Sequence, residues 1–67
     1  MMKDYELLLK KALNEQTNHV VNYLKISPEE RILVEKLERE GLIKEVRYIG
    51  NVAVGFDLTY EGLHYFD

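Results

Sequence analysis

The sequence predicts a small α+β domain: three helices, then a two-stranded β-hairpin, then a short C-terminal helix. Three observations carry this. Up to Leu37 apolar residues recur at three- and four-residue spacing, the period of an amphipathic helix. From Leu42 the period falls to two around Gly50-Asn51, a dipeptide suited to a two-residue hairpin turn. Gly41 stands between the two regimes, where a helix commonly ends on a residue with positive φ.

The first helix is expected from Lys3 to Leu13, burying Tyr5, Leu8, Leu9 and Ala12, with Met2 and Leu13 extending the stripe. At ~100° per residue Leu7 points the other way, among Lys3, Lys10 and Lys11. It is either a lone exposed leucine or a subunit contact. "NEQT" breaks the pattern, and Thr17 can cap a second short helix with Val20, Val21 and Leu24 on one face. His19 and Tyr23 lie off that face. Ser27-Pro28-Glu29-Glu30 is a helix start: Ser27 as N-cap, Pro28 at the first helical position, Glu30 closing a capping box. The third helix then runs to about Glu40 and buries Leu33, Val34 and Leu37.

In the hairpin, pairing Ile49 with Val52 sets Ile43 opposite Leu58, Lys44 opposite Asp57, Glu45 opposite Phe56 and Arg47 opposite Val54. One face then carries Ile43, Ile49, Val52, Val54, Phe56 and Leu58. The other carries Val46, Tyr48, Ala53 and Gly55 with the Lys44–Asp57 pair, whose opposite charges favour this register. Thr59 caps the last helix, where Leu63 and Phe66 lie one turn apart.

The 67 residues form one domain, 1–67, with a marginal core. There is no cysteine, which excludes disulfides and thiolate zinc sites and leaves oligomerisation as a simple way to add stability. The 46% hydrophobic content excludes a disordered tail, and no apolar run reaches the roughly 18 residues of a membrane span. "MMKDYELLLKK" has only three consecutive leucines between charges, so no signal peptide is expected. The expected location is the cytoplasm.

The order of elements is that of a winged helix, with the hairpin as the wing. "LEREGLI" (Leu37 to Ile43) resembles the junction of recognition helix and wing in many bacterial winged-helix regulators. "LTYEGLHYF" (Leu58 to Phe66) resembles the closing motif of MarR- and PadR-type proteins. Together the motifs are most similar to small YjcQ-like winged-helix proteins of Gram-positive bacteria and their phages. The likeness covers roughly Val21 to Phe66. It implies a winged-helix fold and brings no assigned activity, because one fold hosts many functions. Within these 67 residues no long terminal helices of the kind with which larger regulators dimerise and sense ligands are expected.

The function expected first is a small DNA-binding transcriptional regulator of bacterial or phage type. The net charge of −3 argues mildly against a generic polyanion binder. Placed around the third helix at ~100° per residue, however, Arg31, Ile32, Glu35, Lys36 and Arg39 share the outward arc. Arg31, Ile32, Lys36 and Arg39 would face the major groove, Ile32 meeting a thymine methyl. Lys25, Lys44 and Arg47 would meet phosphates, which supply most of the affinity. Such binding calls for a dimer on a two-fold site of double-stranded DNA. The same arc equally fits an i,i+4 ion-pair ladder on a solvated face.

The alternative is a winged helix that has lost DNA binding and meets a protein through exposed Leu7, Tyr23 and Tyr48, tyrosine being enriched at interfaces. No catalytic, cofactor, metal or small-molecule site is evident. His19 and His64 have no ligand-spaced acid or cysteine beside them, and the four glycines form no phosphate-cradling loop. An enzyme is not expected.

Overall fold

A computed structural model describes residues 1–22 and 26–67. The chain is α+β, with helices packed on a three-stranded antiparallel sheet. The elements are α1 (Asp4–Glu15), β1 (Val20–Asn22), a 3-10 turn (Pro28–Glu30) leading directly into α2 (Arg31–Arg39), β2 (Ile43–Ile49), β3 (Val52–Leu58) and α3 (Tyr60–Leu63). In the sheet, β3 is central, with β1 and β2 on either side.

Helix α1 buries Leu8, Leu9 and Ala12, and Leu7 stays exposed, as the spacing requires. At the start of the 3-10 turn the Ser27 N–H and hydroxyl both donate to Glu30 Oε1 at 3.1 Å. The Glu30 N–H donates to the Ser27 carbonyl at 2.9 Å, and Ser27 with Glu30 forms the expected capping box. Helix α2 ends on Gly41 at φ 76, with Leu42 N–H donating to the Leu37 carbonyl and Gly41 N–H to that of Glu38, both at 3.0 Å. Those two bonds are a Schellman stop.

The second helix expected after Thr17 is not there. Asn18 and His19 take φ 51 and 72, and Thr17 and Val20 exchange both backbone hydrogen bonds, at 2.9 and 3.0 Å. Two consecutive positive φ values make a tight turn of the I′ kind, which asparagine tolerates well. That turn feeds Val20–Asn22 into the sheet, with Val20 opposite Asp57, Val21 opposite Phe56 and Asn22 opposite Gly55. Thr17 is therefore a turn residue instead of a cap. The sheet has three strands where a two-stranded hairpin was expected. Leu24, assigned to the same helix, lies outside the described residues.

The hairpin has the expected ends: Ile43 opposite Leu58, Lys44 opposite Asp57 and Ile49 opposite Val52. Gly50 alone of the two turn residues takes positive φ, at 60°, the pattern of a II′ turn. Between the ends two irregularities offset each other, so Glu45–Phe56 and Arg47–Val54 are not partners. Glu45 takes φ 52, and Arg47 pairs with Gly55. Tyr48 then pairs with Ala53, which takes up an extra residue on β3. Each bulge shifts the alternation by one residue. Ala53, expected on the outer face, is buried, Val46 packs against the core, and Ile49 is 72% exposed.

Phe56, Leu9, Leu37, Val21 and Val34 are the largest fully buried side chains, so α1, α2 and all but the hairpin tip share one core. No polar side chain is buried among the described residues. Among the described residues no helix is long and apolar enough to cross a membrane.

Candidate interaction edge

Of the cations expected to face DNA, the fold sends Arg31, Lys36 and Arg47 to three different places. Arg31, at the start of α2, turns toward the hairpin. Its guanidinium lies 5.1 Å from the centre of the Tyr48 ring, with Nη1 3.5 Å from Asn51 Oδ1 and Nε 3.5 Å from Glu35 Oε1. A cation over an aromatic face is attracted by the ring quadrupole. Lys36 turns the other way: its Nζ ion-pairs with Glu40 at 2.9 Å and lies 5.6 Å from the centre of the Tyr5 ring of α1. The Lys36 hydrogen bond and charge hold the Glu40 carboxyl below its ordinary value.

Arg47 spans the outer face of all three strands. Nη1 donates to Asp57 Oδ1 and to the Glu45 carbonyl at 3.2 Å, and Nη2 donates to Asn22 Oδ1 at 3.2 Å and to the Val21 carbonyl at 3.4 Å. It can lie there because its cross-strand partner is Gly55. A Cβ at that position would come within 2.6 Å of the Val21 oxygen and 3.1 Å of Arg47 Nη2. Arg39 and Lys44 are exposed and make no ion pair among the described residues. Lys25 and Tyr23 lie outside the described residues.

What the fold does bring together is one edge. The contacts of Arg31 seat the hairpin tip against the first turn of α2. Ile32, 71% exposed, leaves α2 beside Arg31, Tyr48 faces Arg31 from the hairpin, and Ile49, 72% exposed, projects from the opposite face of the same hairpin tip. Tyrosine and arginine are enriched at protein interfaces, and here they stand with two exposed aliphatics. Glu29, Glu35 and Glu38 rim the helix side. Ile49 was missed by the strand alternation, which placed it on the packed face; the bulge between Lys44 and Arg47, where Glu45 takes φ 52, shifts the alternation and turns it outward, and nothing in the residue type announces that.

The two motifs that carry the winged-helix resemblance also meet, and their contact is structural. The Thr59 hydroxyl donates to the Gly41 carbonyl at 2.7 Å and accepts from Gly62 N–H at 3.0 Å, while Thr59 N–H donates to the Leu42 carbonyl at 3.2 Å. Gly62 packs directly on that same Leu42 carbonyl. These residues lock α3 onto the α2–β2 junction, away from any chemistry. Among the described residues no three His, Cys, Asp or Glu side chains converge as a metal site.

No family model, curated protein or solved structure matches this chain.

Proposed function

We propose that the chain is a winged-helix interaction module that docks a protein partner on the edge formed by Arg31, Ile32, Tyr48 and Ile49. The observation that carries this is the Arg31–Tyr48 contact. It makes one surface out of a helix turn and a hairpin tip, and it occupies the cation that groove reading would use. Arg31, Lys36 and Arg47 each have an acid within 3.5 Å, so the positive stripe that phosphates would track is interrupted. The acidic rim selects the partner's chemistry: apolar side chains flanked by lysine or arginine. The winged-helix part of the reading is supported by the order of helix, strand, helix, hairpin and short helix, and by the Gly41–Thr59 junction.

The second reading is the DNA-binding regulator of bacterial or phage type. It is favoured by Arg39 and Lys44, exposed and without ion-pair partners among the described residues. Paired variants separate the two. Ile32→Asp with Ile49→Asp should abolish binding of an amphipathic, lysine-flanked peptide. Arg39→Glu with Lys44→Glu should leave that binding within about threefold of the original. The opposite ranking, on a DNA duplex at low salt, would favour the regulator.

A further inference from the structure

A different surface, sharing no residue with that edge, is self-complementary. Asp4, Leu7 and Lys11 line a groove of about 360 Å³ whose remaining walls are Leu8, Glu30 and Leu33. Leu7 is 53% exposed, and Asp4 and Lys11 are exposed with no ion pair among the described residues. The Glu30 carboxylate is already held by Ser27. The groove therefore carries one apolar knob between one free acid and one free base, with Lys3 and Lys10 farther round the helix beyond Leu7.

Asp4 and Lys11 are two helical turns apart, about 10 Å along α1, with Leu7 between them. A two-fold axis perpendicular to the helix, at the level midway between Leu7 and Leu8, sets two α1 helices antiparallel. Residue 4 of one copy then faces residue 11 of the other, and the reverse pair forms by symmetry. At the roughly 8–10 Å spacing of packed helices both ion pairs are within reach. Each Leu7 enters the groove of the other copy, against Leu8 and Leu33. The antiparallel arrangement also opposes the two helix dipoles favourably.

From this pattern we infer that α1 is a homodimer contact, with Leu7 as its knob and crossed Asp4–Lys11 pairs fixing the antiparallel register. The surface is small. A 12-residue helix is about 18 Å long and ~10 Å across, well under the roughly 800 Å² per partner of a standard interface. Self-association is accordingly weak, in the micromolar-to-millimolar range.

Sedimentation equilibrium of the full chain from about 10 µM to about 1 mM tests it. The mass should climb from one chain toward two. Leu7→Asp, at an exposed position, should hold it at one. Asp4→Lys and Lys11→Asp should each weaken association at least about tenfold, and the double variant should return to within about threefold of the original. Residues 4 and 11 are too far apart on one helix to pair within a copy, so that rescue arises only across the two-fold. Circular dichroism melts of each variant separate lost folding from lost association. A chain that stays monomeric throughout, a Leu7→Asp variant that still associates, or a double variant no better than the single ones would overturn the inference.

Discussion

The Arg31 guanidinium sits 5.1 Å from the centre of the Tyr48 ring, tying the first turn of α2 to the hairpin tip. Removing it by Arg31→Ala should loosen that tip without unfolding the core, since neither residue is fully buried. The expected cost is about 0.5–1 kcal/mol. Amide exchange at Tyr48 to Asn51 should quicken, and exchange at Phe56 should follow only the small global change. Arg39→Ala serves as the control and should alter neither.

Gly62 and the Leu42 carbonyl leave no room for a methyl group between them. Gly62→Ala forces α3 off the α2–β2 junction, because the obstacle is backbone, which cannot swing aside. A loss of about 2–3 kcal/mol is expected. Gly41 has open space around it and needs only its φ of 76°, so Gly41→Ala should cost about 1 kcal/mol. Thermal melts of the two variants should rank in that order.

The bulge at Glu45 places a non-glycine residue at φ 52. Glu45→Gly relieves that strain and should leave stability unchanged or raise it by up to about 1 kcal/mol. Gly55→Ala should do the reverse, since its new Cβ meets the Val21 oxygen at 2.6 Å and displaces Arg47. Chemical denaturation of both variants reads the two signs directly.

These bulges mark where the sequence stops being legible. Lys44 does lie opposite Asp57, but the ion pair of Asp57 is with Arg47. Both ends of the hairpin followed from the Gly-Asn turn, because turn chemistry is local. Helix α1, the α2 stop at Gly41 and the Thr59 cap were legible for the same reason. Strand β1 was not. Three residues, Val20–Asn22, have no strand signal until β3 lies beside them, and Val20 and Val21 serve a helical face equally well. The Asn18-His19 turn was the available clue. The candidate edge was half legible: Ile32 and Tyr48 could be placed outside, but the turning of Arg31 toward the hairpin and of Ile49 toward solvent depends on offset bulges. Arg47 looked like a phosphate contact because its bonds to Asp57, Asn22 and Val21 cross three strands.

The C-terminal segment is tied to α1 by the Tyr65 hydroxyl, which donates to Glu6 Oε2 at 2.6 Å, while Lys3 N–H donates to Glu6 Oε1 at 2.8 Å. Chiefly through Tyr65, these bonds hold Glu6 below its ordinary 4.5. The bond to Glu6, followed by that to Tyr5, raises Tyr65 above its ordinary 10.0. A depressed carboxyl gives stability that is present above its unfolded value and is lost as pH falls through its folded one. A raised phenol gives stability that is present below its unfolded value and is lost as pH rises through its folded one. The Tyr65–Glu6 contribution should therefore be constant between about 4.5 and 10.0 and decline on both sides. Tyr65 is exposed and Glu6 only partly buried, so the declines are small. Tyr65→Phe should remove the alkaline decline and reduce the acid one in a pH series of melting temperatures, because the Lys3 N–H still holds Glu6.

The most direct test of the docking edge is amide shift mapping at low salt with two probes, a lysine-flanked amphipathic peptide and a DNA duplex. The expected result is that the peptide moves the signals of Arg31, Ile32, Tyr48 and Ile49, while the duplex leaves them in place. A duplex that moves α2 and the hairpin together, with a peptide that moves nothing, would contradict the protein-docking account and return the chain to the DNA-binding reading.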